Sequence, residues 1–328
     1  MVLPSKGILF YLRILLIAVY FVNGIIIIQQ NSIVYDEMDH WSYGKRILKR
    51  QPEKIYTYDD ASAMPVSAVN AIPRAVEQLL KPDLSKTDGG FSDIMHGRYV
   101  TLLVCLLTGL FIYRWSRELF GEGGGTLSLF LFVFCPNLNA HATLLTTDAY
   151  GALFTLVTFY YFRKFLENSG WKYFILFSLC LGLSQLVKQS LTHLFIIFLL
   201  LSLIILIKRK TIFAGWRRNL LRCIVLTAIV VFMINTGFLF NSSGKSLNQY
   251  EFVSKSFNSL QSSLSFIGTI PIPFPSPYIQ GLDYSVQMDE IGPGDPRTSG
   301  QVYILGEKRK GAGFWYYYFV LLLFKMGI

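Results

Sequence analysis

The chain has 328 residues, of which 52% are hydrophobic and only 15% are charged. Soluble domains carry roughly a quarter of their residues as charged side chains, so this composition excludes an ordinary soluble protein and indicates a polytopic membrane protein. The net charge of +10 could serve nucleic-acid binding. In a membrane protein it is typical of basic cytoplasmic loops, and we expect no nucleic-acid partner.

The first apolar run, residues 8–28, is longer than a signal-peptide core, and no small-x-small cleavage site follows it. We therefore predict a retained membrane anchor. The cysteines lie in apolar runs without metal-ligand spacing, which predicts packing roles. They are Cys105, Cys135, Cys180 and Cys223.

Apolar runs that approach the roughly 20 residues needed to cross a hydrocarbon core predict seven transmembrane helices and a partial eighth. The runs lie near residues 8–28, 98–116, 126–143, 149–165, 172–188, 191–207, 221–240 and, for the partial one, 314–328. Two longer polar stretches, residues 29–96 and 241–313, interrupt them. The sequence thus predicts one all-helical membrane domain over residues 1–328.

Basic side chains occupy the N-terminus and the connections after the second, fourth and sixth predicted spans. They are Lys6, Arg114, Arg117, Arg163, Lys164, Lys172, Lys208, Arg209, Lys210, Arg217, Arg218 and Arg222. The positive-inside rule makes this side cytoplasmic. Both long polar stretches, and the turns at 137–148 and 188–191, then face outward.

The first polar stretch contains two amphipathic segments. One has an apolar face and a basic face, formed by Met38, Trp41, Ile47 and Leu48 and by Lys45, Arg46, Lys49 and Arg50. This pattern is typical of a helix lying flat at lipid headgroups, and equally of a solvated loop helix. The other segment, Val66–Leu80, is punctuated by Pro65 and Pro73, which predicts two short helices.

The second polar stretch is rich in Ser, Asn, Pro and Gly. Pro271–Tyr278 (PIPFPSPY) is predicted not to form a helix, and residues 292–300 (GPGDPRTSG) are predicted turns. A disordered loop fits this composition, whereas the interleaved aromatic residues favour an ordered lid over the outer face. Because the chain ends inside an apolar run, we expect a piece of a longer protein.

An acidic cluster follows the first span directly and contains Asp36, Glu37, Asp39 and His40. Charge at a membrane is costly unless it is used or well solvated. A carboxylate here could act as general base towards an attacking hydroxyl, or could bind a divalent cation. Solvated surface charge is the alternative, and the spacing is not diagnostic of any metal.

The segment Pro136–Asp148 (PNLNAHATLLTTD) interrupts the outer end of the third span. His141 and Asp148 would lie two turns apart on one face if the segment were helical. Irregular backbone at this depth is tolerated where it is buried in protein or lines a wet cavity. The alternative is a kinked span end with Asp148 as the N-cap of the next helix.

Two cations are expected at the same membrane level. Lys188, at the outer end of the fifth span, could hold a phosphate as a point charge, and Arg98 could bind one bidentately. Snorkelling to the headgroups is the alternative for both. Acids and cations at one surface suit transfer from a phosphate-bearing lipid better than proton-coupled transport, whose ionisable groups lie near mid-membrane.

Four stretches, which include segments described above, occur in order along the chain: YDEMDHW (35–41), Met64–Arg74 (MPVSAVNAIPR), Cys135–Asp148 and Val302–Lys325. Together they resemble the phospholipid-carrier-dependent glycosyltransferases related to protein O-mannosyltransferases and aminoarabinose transferases, which share the GT-C membrane fold. The resemblance implies the N-terminal part of such an enzyme, with about seven to eight transmembrane helices.

The resemblance implies inverting transfer of a sugar from a polyprenyl-phosphate donor to an extracytoplasmic protein, lipid or glycan acceptor. The resemblance implies that Asp36 is the catalytic carboxylate with Glu37 beside it, that Asp148 is the aspartate of the second outer turn, and that Lys188 binds the donor phosphate. The residue pattern adds Arg98 as a second donor-phosphate ligand. It also makes His141, Asp39 and His40, together with Asp148, candidates for acceptor or metal-site contacts. A divalent cation stays open, and the lipid-linked sugar is the donor substrate rather than a cofactor. We expect a bacterial plasma membrane, with the N-terminus cytoplasmic and the active site outside.

The chain departs from its relatives at its end. Their last apolar run continues through Lys-Thr-Pro, whereas this one reads Lys325-Met326-Gly327. A non-catalytic truncated paralogue, or a transporter of polyprenyl lipids, is therefore the alternative function.

Overall fold

The computed structural model describes residues 6–54, 62–81, 91–208, 215–291, 301–310 and 313–325. The chain divides into two compact units: Met1–Pro52 with Ala63–Leu239, and Glu53–Ser62 with Phe240–Ile328. The first unit is helical throughout its described part. Its helices are α1 (Lys6–Gln30), α2 (Tyr35–Leu48), α3 (Ser67–Leu80), α4 (Phe91–Val133), α5 (Pro136–Ala142), α6 (Asp148–Asn168), α7 (Trp171–Ser184), α8 (His193–Lys208) and α9 (Trp216–Gly237), with a 3₁₀ turn at Gln189–Thr192 before α8.

Four helical segments in the described part are long and apolar enough to span a membrane: Gly7–Gln30, Asp93–Val133, Gln189–Lys208 and Trp216–Gly237. The second is about 60 Å long at the helical rise, twice the thickness of a hydrocarbon core. It breaks at Gly121, whose φ of 77° lies in the left-handed region that glycine tolerates. Its first arm covers the predicted span 98–116, and its second arm contains residues 126–133 of the next predicted span. The predicted fold class, an all-helical polytopic membrane protein, is confirmed.

The helices α6 and α7 coincide with the predicted spans 149–165 and 172–188. They pack side by side, and α7 also packs against α9. The 14 residues of α7 cover only about 21 Å. The last residues of the predicted fifth span, 185–188, therefore lie after the helix, in the turn that carries Lys188.

Two carboxylates beside the Gly121 bend join the predicted cytoplasmic ends of several helices. Glu122 accepts from Arg13 of α1 at 2.7 Å and from Arg117 at 2.8 Å. Glu118 accepts from Lys164 of α6 at 2.8 Å and from the Tyr160 hydroxyl at 2.7 Å. These contacts hold α1, both arms of α4 and α6 together at one end of the unit.

The amphipathic helix α3 exposes its apolar face and buries its polar face. Its apolar side chains Val69, Ile72, Val76 and Leu79 are exposed, Leu79 by 81%, whereas its polar residues Asn70 and Arg74 are buried. An exposed apolar face is unfavourable in water and suits a lipid environment. This arrangement supports the predicted interfacial position of the helices in the first outer loop.

The prediction of two short helices over Val66–Leu80 is wrong. One helix, Ser67–Leu80, runs through Pro73. The buried Asn70 side chain donates to the Gly97 carbonyl and to Thr101 Oγ1, each at 2.7 Å, and accepts from the Tyr150 hydroxyl at 2.9 Å. These tertiary bonds outweigh the single backbone hydrogen bond that a proline removes.

The second unit contains α10 (Lys255–Ser263), α11 (Ser276–Ile291), the hairpin strands β1 (Gln301–Ile304) and β2 (Glu307–Lys310), and α12 (Tyr317–Lys325). The described part of the second polar stretch is thus ordered. Pro271–Tyr278 was predicted to be non-helical, but its end enters α11, where Pro277 lies in the first turn and needs no hydrogen-bond donor. The predicted turns at 292–300 lie outside the described residues.

The hairpin was not predicted. Its two-residue loop, Leu305-Gly306, has both φ values positive, which is the conformation that connects twisted antiparallel strands. The helix α12 covers nine residues of the partial eighth apolar run.

The packing role predicted for the cysteines is confirmed for Cys105 and Cys180, which are buried, whereas Cys135 is half-buried. For Cys223 the prediction is wrong, because this residue is exposed on α9 near its predicted cytoplasmic end.

Candidate active site

Glu37 and Arg98 form a fully buried ion pair at the predicted outer ends of α2 and α4. Arg98 Nε donates to Glu37 Oε1 at 2.8 Å, and Nη2 donates to Oε2 at 2.6 Å. This is the bidentate geometry in which a guanidinium binds a carboxylate most strongly.

The remaining Arg98 donors bind the end of α1. Nη1 donates to the carbonyls of Asn31 at 2.9 Å and Ile28 at 3.4 Å, and Nη2 donates to that of Ser32 at 2.7 Å. A helix leaves its last carbonyls without partners inside the helix, and Arg98 satisfies them here. A guanidinium has five N–H donors, and these contacts use all five.

Glu37 also binds backbone. It accepts from the amide of Val34 at 2.8 Å and from the amide of Leu145 at 2.7 Å. Burial alone would raise the pKa of Glu37, but the hydrogen bonds from Arg98, Leu145 and Val34 outweigh it and hold the pKa below its ordinary value. Glu37 thus stays ionised and links α2 to the turn before Asp148.

This geometry changes the roles expected for both residues. Arg98 is enclosed by protein and fully hydrogen-bonded, so it fits neither the predicted phosphate contact nor snorkelling. Glu37 is equally enclosed, so it fits a positioning role rather than contact with substrate.

The other members of the acidic cluster lie on α2. Asp36 is exposed in its first turn, Asp39 is half-buried, and His40 is buried with its Nδ1 3.4 Å from Ser67 Oγ of α3. Acidic side chains in a first turn interact favourably with the helix dipole. Of this cluster, Asp36 is the most accessible carboxylate.

Asp148, His141 and Lys188 come together as a second constellation, which we call the Asp148 cluster. Lys188 Nζ lies 2.7 Å from Asp148 Oδ1, and His141 Nδ1 lies 3.4 Å from Asp148 Oδ2. Lys188 and Asp148 are half-buried and His141 is exposed. The cluster is therefore accessible to a ligand.

The His141–Asp148 contact does not arise on one helix face, as the spacing suggested. The helix α5 ends at Ala142, and α6 begins at Asp148 after a bent connection. Asp148 is the first residue of α6, and its N-cap is Thr147. The predicted interruption of the third span is confirmed, because α4 ends at Val133 and α5 begins at Pro136.

The Asp148 carboxyl precedes the predicted span of α6. The hydrogen bond with His141 lowers its pKa, burial opposes this, and the contact with Lys188 lowers it again, so that the pKa of Asp148 lies well below its ordinary value. A carboxylate held in its ionised form is a weak base. The cluster therefore suits the binding and orientation of charge better than proton transfer.

An open cavity of about 550 Å³ adjoins the cluster. Asp148 and Lys188 line one end of it, Trp115 and Phe159 lie further along, and Gly151 is among the residues between them. Sequence reasoning missed this cavity, although the spacing of Asp148, Gly151, Ala152, Thr155, Leu156 and Phe159 places them on one face of α6.

Within the described residues, no group of three or more His, Cys, Asp or Glu side chains has the arrangement of a metal site. The Asp148 cluster contains one carboxylate and one imidazole beside a lysine, and a bound cation would have to compete with that ammonium group. The divalent cation that the sequence left open is not assigned to this donor set.

Sequence reasoning also missed Gln189, which follows Lys188 and is only 8% exposed. Among the described residues, neither its amide nitrogen nor its amide oxygen has a hydrogen-bond partner. The nearby Gln185 is fully buried but paired, since it donates to Ser184 Oγ at 3.0 Å and to the Leu191 carbonyl at 3.1 Å.

These two glutamines give a matched prediction. We expect Gln185→Met to lower the free energy of unfolding by about 1–3 kcal/mol because it leaves buried acceptors unpaired. Gln189→Met removes an unpaired amide and should leave the melting temperature unchanged or raise it. Thermal denaturation of the purified variants in detergent measures both. An equal loss in the two variants would contradict this assignment.

Residues 90–240 match the family model described as dolichyl-phosphate-mannose-protein mannosyltransferase. Over this segment the chain is similar to membrane glycosyltransferases of the mannosyltransferase type. The match covers a little under half of the chain and includes α4 to α9, with Arg98, the Asp148 cluster and the cavity. No curated protein and no solved structure matches the chain. The resemblance predicted from the sequence motifs is confirmed over residues 90–240.

Proposed function

We propose that this mannosyltransferase-like protein transfers a hexose, of mannosyl type, from a polyprenyl-phosphate donor to an extracytoplasmic hydroxyl on a protein, lipid or glycan. The observation that carries the proposal is the accessible Asp148 cluster at one end of a cavity lined by one face of α6. A cation beside an apolar cavity matches a donor that carries a phosphate on a hydrocarbon chain.

Lys188 is the proposed phosphate ligand. Its ammonium group is a compact point charge, and its contact with Asp148 holds it at the cavity. When the glycosyl bond breaks, the bonding electrons go to the lipid phosphate oxygen, and the lysine would stabilise the charge of that leaving group. Arg98 is not proposed as a phosphate ligand, because all five of its N–H donors bind Glu37 and backbone carbonyls.

Asp36 is the proposed general base. It would accept the proton of the acceptor hydroxyl as the hydroxyl oxygen bonds to the anomeric carbon opposite the departing phosphate, which inverts that carbon. Glu37 and Arg98 would position it, since they fix the first turn of α2 against the turn before Asp148. Asp39 and His40 remain candidates for contacts with the acceptor.

The location follows from the same assignment. The protein is an integral membrane protein, and we propose a bacterial plasma membrane with the N-terminus in the cytoplasm and the site outside. The basic residues that precede or follow the spans support this orientation. The Asp148 cluster and the acidic cluster then lie on the side of the membrane opposite Glu118 and Glu122.

The test is the Asp36→Asn variant. Removal of a general base is expected to lower transfer by about 10²–10⁴-fold, with the protein folding normally because Asp36 is exposed. The assay follows release of polyprenyl phosphate from a labelled lipid-linked sugar in detergent micelles. Glu167→Gln, at the other end of α6, is the control and should keep full activity.

Full activity of Asp36→Asn would remove Asp36 from the role of base. If the wild-type protein binds the lipid-linked sugar without releasing lipid phosphate, the alternative of a non-catalytic paralogue or a polyprenyl-lipid transporter gains support.

A further inference from the structure

Three arginines at the start of α9 differ from most other arginines at the predicted cytoplasmic helix ends. Elsewhere at these ends, basic side chains pair with Glu118, Glu122 or Glu167 at 2.7 to 3.5 Å; they are Arg13, Arg114, Arg117, Arg163 and Lys164. Among the described residues, no carboxylate forms an ion pair with Arg217, Arg218 or Arg222. The start of α9 therefore carries three positive charges that no described acid balances.

The position of these arginines is unfavourable without an anion. Arg217 and Arg218 lie in the first turn of α9, which contains no acidic residue. The N-terminus of a helix carries a partial positive charge, so cations there are destabilising. Arg218 and Arg222 are four positions apart, which brings two like charges together on one side of the helix. An anion bound at this point would relieve both repulsions.

Arg222 is held in place by aromatic rings and a carbonyl group. Its guanidinium carbon lies 4.9 Å from the ring centroid of Phe165 and 6.0 Å from those of Trp171 and Phe174. Its Nη2 donates to the Ser169 carbonyl at 2.7 Å. Rings and carbonyls attract a cation but do not neutralise its charge. Arg222 is thus a positioned cation that keeps its full positive charge.

An apolar surface continues from these arginines along α9. Leu221 and Ile224 follow Arg217 by four and seven positions, which places all three on one face of the helix. All three side chains are exposed, as is Trp216 at the start of the helix. Tryptophan is enriched where a protein crosses the membrane–water interface. Cations next to exposed apolar side chains match the two parts of a phospholipid, a charged phosphate and its acyl chains.

We propose that the start of α9 binds an anionic phospholipid of the adjacent membrane leaflet. The lipid phosphate lies among Arg217, Arg218 and Arg222 and supplies the missing negative charge, and the acyl chains follow Leu221 and Ile224. A zwitterionic phospholipid fits less well, because its own cationic group would add to the positive charge already present. The inference does not depend on the proposed function, since this site lies at the opposite end of α6 from the Asp148 cluster.

The test measures lipid binding to the purified full chain by native mass spectrometry from detergent. The probes are phosphatidylglycerol, phosphatidylcholine and inorganic phosphate. We expect phosphatidylglycerol to bind at least about tenfold more tightly than phosphatidylcholine, since each basic residue near anionic lipid contributes about fivefold in affinity. Inorganic phosphate should not displace phosphatidylglycerol, because it lacks the acyl chains.

The double variant Arg217→Gln with Arg218→Gln is decisive. Both side chains are exposed, so the protein should fold, and affinity for phosphatidylglycerol should fall by at least about tenfold. The double variant Arg114→Gln with Arg117→Gln is the matched control. It removes two exposed cations from the same membrane end, but these already pair with carboxylates. Such exposed pairs contribute little, so the control should keep its affinity within about twofold.

Three results would overturn the proposal: equal affinity for the two lipids, wild-type affinity in the Arg217→Gln, Arg218→Gln variant, or an equal loss of affinity in the control. The last of these would show that the net charge of this membrane end matters and that the start of α9 does not. Displacement of phosphatidylglycerol by inorganic phosphate would also overturn it, because the arginines would then bind free phosphate.

Discussion

Arg98→Met is expected to destabilise the protein by about 3–5 kcal/mol, because it removes one partner of a fully buried ion pair. Glu37 would be left as an uncompensated buried carboxylate, and the carbonyls at the end of α1 would lose their donors. Since net stabilities are typically about 5–15 kcal/mol, little folded protein should remain. Size-exclusion chromatography of the detergent extract and the melting temperature measure this loss.

The double variant Arg98→Met with Glu37→Leu provides the control for this prediction. Replacing both charges by apolar groups removes the desolvation cost of the lone carboxylate, so the double variant should recover part of the loss. A monodisperse Arg98→Met protein with wild-type melting temperature but reduced donor affinity would instead restore Arg98 as a phosphate ligand.

Lys188→Met is expected to lower kcat/KM for the lipid-linked sugar by at least about 100-fold, the order found when one preorganised group that stabilises charge is removed. The fold should persist, because Lys188 is half-buried and makes its ion pair at the cavity mouth. Lys188→Arg should recover part of the activity, since it keeps the charge but not the geometry. Release of polyprenyl phosphate, followed over a range of donor concentrations, measures kcat and KM separately.

Lys172→Met removes a lysine at the opposite, predicted cytoplasmic end and should leave both constants unchanged. Asp148→Asn should act mainly through KM, because Asp148 holds the lysine and its lowered pKa makes it a poor base. A Lys188→Met protein with unchanged KM and kcat would contradict the assignment of the phosphate to this residue.

The helical membrane fold could be predicted from the sequence because it depends on local properties. Residues 8–28 are apolar over the length of a bilayer, and α1 forms there as expected. The amphipathic pattern of α2 was right for Trp41 and Ile47, which are buried, and wrong for Met38 and Leu48, which are exposed. An error of one residue in the helical register suffices to misplace a side chain, since neighbouring positions on a helix differ by about 100°.

The pairings in the site could not be predicted, because they join residues far apart in sequence. Arg98 lies 61 positions from Glu37 and Lys188 lies 40 positions from Asp148. A lone arginine near the start of a span gives no indication of whether it reaches headgroups, a ligand or a buried acid. The close approach of α2, α4 and the turn before Asp148 decides that question, and it is a property of tertiary packing.

Gln189 and the cavity were missed for a similar reason. Apolar residues on one face of α6 have the same sequence pattern whether another helix covers that face or leaves a space beside it. Gly151 lies on the same face of α6 as Asp148. This pattern indicates a cavity only when the positions of the neighbouring helices are known.

In the proposed function, this protein takes its sugar from a lipid phosphate. The most direct measurement reconstitutes the purified protein in liposomes with polyprenyl-phosphate [³H]mannose or with GDP-[³H]mannose, in the presence of peptide, lipid and glycan acceptors. We predict transfer of label from the lipid donor alone, abolished by Asp36→Asn and by Lys188→Met. Transfer from the nucleotide sugar, or label that stays on the lipid donor with every acceptor, would contradict the claim.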